Sequence, residues 1–165
     1  ALSLGFESSC EILDFNITDD NMSMDEIRDR LNAVMPEGMR IVSVAPQKLK
    51  ITAIAKAEYS FELVSADSAK LSTDIDALLG GDSILIEKKT KRGVKEVDIK
   101  PDMEIVSRET DGDSVKIVMR LPAGTQTNYN PTLFMEALRK AGCEPFEAAN
   151  ICRTGIFCEN NEKFS

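Results

Sequence analysis

Along this chain, stretches in which apolar and polar residues alternate are interleaved with stretches in which apolar residues recur every three or four positions. Glu11 to Ile17 places Ile12, Leu13, Phe15 and Ile17 in a roughly alternating pattern and ends in the turn-rich Thr18-Asp19-Asp20-Asn21, which predicts a strand. Ser23 with Glu26 three residues later forms a capping box. Ile27, Leu31 and Val34 then keep helical spacing until Pro36 and Gly38 stop the helix, and Met39 to Ala45 returns as a strand. The same order recurs downstream. Tyr59, Phe61 and Leu63 alternate, Ser65 to Leu79 shows Leu71, Ile75, Leu78 and Leu79 on one helical face, and Gly80-Gly81 precedes a strand over Ser83 to Lys88. In a third copy, Val115 to Leu121 is apolar and β-branched. Asn130-Pro131 caps a helix with the stripe Leu133, Phe134, Ala137 and Leu138, which ends at Gly142, and Ile151 to Phe157 closes the unit. Met103 to Arg108 and Val115 to Leu121 pair as a hairpin through Asp111-Gly112.

Strand-helix-strand units with hairpins between them predict an α+β sandwich of ferredoxin-like character. Its helices would pack on one face of a single, mainly antiparallel sheet. A doubly wound parallel fold suits the pattern less, because alternating strands imply a wet sheet face. No glycine-rich phosphate loop follows a strand, and Gly80-Gly81 stands at a helix end, where glycine terminates helices. The 165 residues read as one domain, 1–165, with a possible subdivision into 1–100 and 101–165.

Charge changes this picture in one place. The chain carries a net charge of −8, yet from Lys88 to Lys100 the cations Lys88, Lys89, Lys91, Arg92, Lys95 and Lys100 face only Glu96 and Asp98, a local +4 that leaves −12 on the remainder. The segment Lys88-Lys89-Thr90-Lys91-Arg92-Gly93 reads as a turn between two strands, so its charges gather at one end of a sheet. One role is a solvated hairpin tip whose lysines discourage edge pairing. The other is a face for an anionic partner. No aromatic lies within Lys88 to Lys100, so the patch is suited to gripping phosphates without stacking bases. If all six cations met phosphates, log affinity would fall against log salt with a slope of about −5. Arg153-Thr154-Gly155 adds a second anion candidate. The candidate anion-binding residues are therefore Lys88, Lys89, Lys91, Arg92, Lys95 and Arg153.

Conventional catalytic chemistry finds little support. The chain has no histidine, which removes the commonest base at neutral pH and the triads built on it. Asp19 and Asp20 precede a helix, and Asp111 and Asp113 flank a hairpin glycine, positions where acidic residues serve turns more often than cations. Asp74 and Asp76 sit two apart on a helix and diverge. Cys10, Cys143, Cys152 and Cys158 include no C-x-x-C pair, so no metal site or cofactor is expected and buried thiols are the simplest reading. Cys152 and Cys158 could act as a redox pair only if the fold brought them together. No apolar run is long enough to span a bilayer and the start lacks a basic export signal, so a cytoplasmic location is expected.

Several segments together resemble a known family: Leu2-Ser3-Leu4-Gly5 followed by Glu7-Ser8 and Glu11, the run Leu31-Asn32-Ala33-Val34-Met35-Pro36-Glu37-Gly38, the stretch Lys91 to Pro101, and Ile151-Cys152-Arg153-Thr154-Gly155. In order and spacing they resemble the uncharacterised radical SAM-linked domain, a family of unknown function found fused to, or encoded beside, radical SAM proteins. That resemblance implies a further segment before the counterpart of Ala1, and so a chain that starts inside its domain. It also implies a non-enzymatic accessory role beside a radical SAM protein, and it supplies no catalytic residues. The expected function is presentation of a basic surface to an anionic substrate such as RNA or a nucleotide. The alternative is a protein-protein interaction module that docks on the partner enzyme through an apolar sheet face without ligand. A small carboxylate-dependent hydrolase or transferase has no residue constellation behind it.

Overall fold

The computed structural model describes residues 2, 4–18, 21–90 and 93–164, with Lys89 and Thr90 described by their backbone alone. It divides into two compact units, residues 1–11 with 52–164, and residues 12–51.

The larger unit contains β1 (Glu7–Ser8), β2 (Lys56–Val64), α2 (Ser68–Gly80), β3 (Leu85–Thr90), β4 (Gly93–Asp98), β5 (Glu104–Asp111), β6 (Ser114–Pro122), α3 (Thr132–Lys140) and β7 (Glu147–Phe157). Five strands form one sheet in the order β1-β7-β2-β6-β5, antiparallel except for the short parallel pairing of β1 with β7. With β3 and β4 set aside, the chain runs β2-α2-β5-β6-α3-β7 and the strands lie in the order fourth, first, third, second. Each helix thus joins two parallel strands that have an antiparallel strand between them, the split strand-helix-strand arrangement of the ferredoxin-like fold. The predicted α+β class holds. β2 lies between β6 and β7, so the sheet runs across residue 100.

Alternation decides which face is dry. Ala57, Tyr59, Phe61 and Leu63 of β2 and Val115, Ile117, Met119 and Leu121 of β6 are buried beneath Leu71 and Ile75 of α2 and Leu133, Phe134, Ala137 and Leu138 of α3. Phe61 and Phe134 meet edge to face at 5.7 Å across the sheet-helix interface. Asp67 caps α2 by accepting the Lys70 amide at 2.9 Å, and Gly142, at φ 73°, takes the left-handed conformation that ends α3. The β5–β6 hairpin forms where the Asp-Gly signal predicts one, but it turns on Gly112-Asp113, one residue later, with Asp111 in the ladder opposite Ser114 and Gly112 at φ 59°.

The β3–β4 hairpin is a separate two-stranded sheet inserted between α2 and β5, where the sequence suggested one continuous sheet. Ile84, Ile86 and Ile99 anchor it in the core. At its base one Asp98 carboxylate oxygen accepts the amides of Ile84 (2.8 Å) and Lys100 (3.1 Å), and the Ile99 amide bonds the Ile84 carbonyl at 3.0 Å.

In the smaller unit the expected helix is present as α1 (Met24–Val34), with the Ser23 hydroxyl accepting the Glu26 amide at 3.2 Å. The Glu26 carboxylate is turned to Arg30 at 2.8 Å, so the capping box forms in one direction. The strands expected at Glu11–Ile17 and Met39–Ala45 do not form. A strand needs a ladder partner. At Ile41 the place of one is taken by the Asn32 carboxamide, which accepts the Ile41 amide (2.8 Å) and donates to its carbonyl (3.0 Å).

Candidate functional site

In the β3–β4 ladder, Lys88 stands directly opposite Lys95, and Glu87 directly opposite Glu96. Side chains alternate across a strand, so the two lysines share one face with buried Ile86 while the two glutamates share the other. Directly opposed like charges are unfavourable. Among the described residues neither lysine has a carboxylate partner. Lys95 is exposed, whereas the Lys88 ammonium donates to the Asn128 carbonyl at 2.7 Å and sits 4.9 Å from the centre of the Tyr129 ring. That ring is fixed in turn. Tyr129 is 5% exposed, its amide donates to the Pro122 carbonyl at 2.9 Å, and its hydroxyl donates to Asp102 at 2.6 Å. Burial and the neighbouring Asp102 carboxylate push its phenol up to about 12.

The remaining sequence candidates are distributed differently. Lys91 and Arg92 lie outside the described residues, as do Asp19 and Asp20, and the Lys89 side chain is not described. Lys100, at the far end of the hairpin, donates to the Gly81 carbonyl. Arg153 lies on β7, where it donates to Glu11 at 2.7 Å and to the Tyr59 hydroxyl at 3.1 and 3.3 Å, with its side chain 12% exposed. Burial opposes its charge, but Tyr59 and Glu11 more than offset this and hold it above the ordinary arginine range. Among the described residues it shares no contact with Lys88 or Lys95. A cation so engaged is a structural link between β7, β2 and the segment that follows β1.

Lys140 was not anticipated. It ends α3 and donates to the Leu85 carbonyl at 3.2 Å, bringing a helix cation to the base of the hairpin. Asn128, Tyr129 and Asp102 were missed as well. Lys88 and Asn128 are 40 positions apart, and no local pattern links them.

The sheet face turned away from α2 and α3 is charged. Thr154 donates to Glu58 (3.0 Å), which also accepts from Arg120 (3.1 Å). Arg120 reaches Glu104 (3.1 Å), Glu104 accepts from Lys56 (3.0 Å), and the Arg120 guanidinium lies 4.2 Å from the Phe157 ring centre. This belt crosses four strands and satisfies its own charges. Exposed apolar residues lie both in residues 12–51, among them Leu13, Val34, Met39 and Val42, and in the larger unit, where Val94 stands on β4 and Ile105 and Val106 on β5.

The two helical carboxylates are engaged separately. Asp74 pairs with Lys70, which holds it below the ordinary carboxylate range, while Asp76 pairs with Arg108 at 2.6 Å and is lowered by it. All four cysteines are free and half-buried, and burial pushes the Cys10, Cys143 and Cys152 thiols up. Among the described residues no cluster of three metal-capable side chains is assembled, and no helix is long and apolar enough to cross a membrane.

The topology and this surface define a ferredoxin-like α+β domain with an inserted hairpin that carries opposed lysines. The chain belongs to the family described as "uncharacterized protein conserved in bacteria (DUF2344)", a domain of unknown function whose profile matches residues 1–131. No curated protein and no solved structure matches it.

Proposed function

We propose that this protein is a non-catalytic accessory domain that binds an anionic substrate, such as RNA or a nucleotide, through its β3–β4 hairpin, beside a radical SAM enzyme. The observation that carries the reading is the Lys88–Lys95 pair, two cations set opposite one another with no carboxylate partner among the described residues. Their mutual repulsion disfavours the free hairpin and is relieved when an anion binds. The insertion places them at the tip side of a structure rooted in the core by Ile84, Ile86 and Ile99. The radical SAM partner is inferred from the family resemblance. Titration of 5′-phosphorylated single-stranded RNA at several salt concentrations tests the binding: affinity should fall with salt and be lost in the double variant Lys88→Glu/Lys95→Glu. No binding at low salt, or binding indifferent to that double reversal, removes the reading.

A second reading is a docking module, favoured by the exposure of Val34 (77%) and Val42 (79%) in residues 12–51. Capture of a radical SAM protein that survives the lysine reversals but fails with Leu13→Ser/Val42→Ser would support it. Capture lost with the reversals and retained in the apolar double variant would exclude it.

A further inference from the structure

We propose that Lys88 and Lys95 form a two-point clamp for a single phosphomonoester or pyrophosphate group, with the Lys88 ammonium set in position by Tyr129; this deepens, and rests on, the anion-binding reading above. Directly opposed residues of an antiparallel pair have Cβ atoms about 5 Å apart, so two lysine stems can converge on one phosphate. Lys88 is the fixed jaw. One of its three protons goes to the Asn128 carbonyl and the ring of Tyr129 lies beside the charge, which leaves donors for a ligand. The Tyr129–Asp102 hydrogen bond locks the ring and draws electron density toward it, strengthening its attraction for a cation. Lys95, exposed and without a partner among the described residues, is the adaptable jaw.

The surroundings favour a compact ligand over a long phosphodiester track. Glu87 and Glu96 occupy the reverse face of the same ladder, so a strand wrapping the hairpin would meet carboxylates. The described cations at the base of the hairpin, Lys100 and Lys140, are turned to backbone carbonyls. A net charge of −8 repels a long polyanion, whereas a terminal phosphate concentrates its charge where the two amines are. The common chemistry is a terminal phosphate, whether at the end of an RNA or on a small molecule.

The test compares inorganic pyrophosphate, a 5′-phosphorylated ten-nucleotide RNA and the same RNA with a 5′-hydroxyl. The clamp predicts binding of the first two, a roughly tenfold loss on removing the 5′-phosphate, and a salt slope between about −1 and −2. Lys88→Gln and Lys95→Gln, surface changes on the hairpin, should each weaken pyrophosphate binding. Tyr129→Leu should do the same while shifting the Lys88 side-chain ammonium resonance in the free protein, and Tyr129→Phe, which keeps the ring, should largely retain both. Equal affinity for the two RNAs with a slope steeper than about −4 overturns the clamp and leaves the anion-binding reading standing. Binding of none of the three probes overturns both. An unchanged Lys88 resonance in Tyr129→Leu overturns the positioning role of the ring.

Discussion

The belt of charges on the sheet face opposite the helices provides the sharpest quantitative test of how this domain is held together. Arg120→Met keeps the stem but removes the guanidinium, which leaves Glu58 with Thr154 and Glu104 with Lys56. The Arg120 and Glu58 side chains are 19% and 17% exposed, closer to a buried pair, while Glu104 is 39% exposed and better solvated. Removing one partner of a buried pair costs about 3–5 kcal/mol, and an exposed pair contributes about 0–1 kcal/mol. Weighting the two links by exposure, and allowing for the lost contact with Phe157, places the expected destabilisation at about 2–3 kcal/mol. At about 2–4 °C per kcal/mol for a chain of this size, the melting temperature should fall by roughly 5–10 °C. Urea denaturation read by circular dichroism gives the free energy, and a cycle with Glu58→Gln isolates the Arg120–Glu58 coupling. A change below about 0.5 kcal/mol would mean the belt is ordinary solvated surface, and the reasoning from burial would be wrong.

Two further outcomes follow from the hairpin and from Tyr129. Lys95→Glu replaces a like-charge pair with an opposite one against Lys88, so stability in urea should rise by about 0.2–1 kcal/mol while phosphate binding falls; a loss of stability would show that the two side chains do not face one another. The Tyr129 phenol is raised to about 12 in the folded protein against 10.0 when unfolded. The folded state therefore binds more protons between these values, and its stability should fall as pH rises from about 10 to about 12. Tyrosinate absorbance of the native protein, compared with Tyr129→Phe, checks this, and a Tyr129 midpoint near 10 would contradict the buried, Asp102-bonded geometry.

Where local pattern and tertiary surroundings agreed, the elements were legible. Phe61 and Leu63, Leu71 and Ile75, and Phe134 and Leu138 all lie where spacing places them, and the β5–β6 hairpin closes within one residue of the Asp111-Gly112 signal. The same pattern at Glu11–Ile17 and Met39–Ala45 signalled strands that did not form, because alternation specifies a face and cannot supply the neighbour that a ladder needs. The candidate surface was partly legible. The concentration of cations in Lys88 to Lys100 was visible, and the pairing of Lys88 with Lys95 belongs to the register that sets Thr90 opposite Gly93. Arg153 looked equally available in sequence, but Glu11, 142 positions away, engages it.

Composition, the periods of two and 3.6, and the punctuation by glycine, proline and capping residues are properties of neighbours along the chain. They were enough by themselves to determine the α+β class, the helices, the main hairpin and the place where the charge reverses. Contacts between residues distant in sequence depend on strand order and on which helix lies over which strand. Those alone brought Tyr129 and Asp102 to Lys88, linked Arg120 to Glu58 across 62 positions, and set the lysine pair on a separate inserted sheet. The physical reason is that side-chain electrostatics act over a few ångströms, and only the folded chain decides which charges lie within that range.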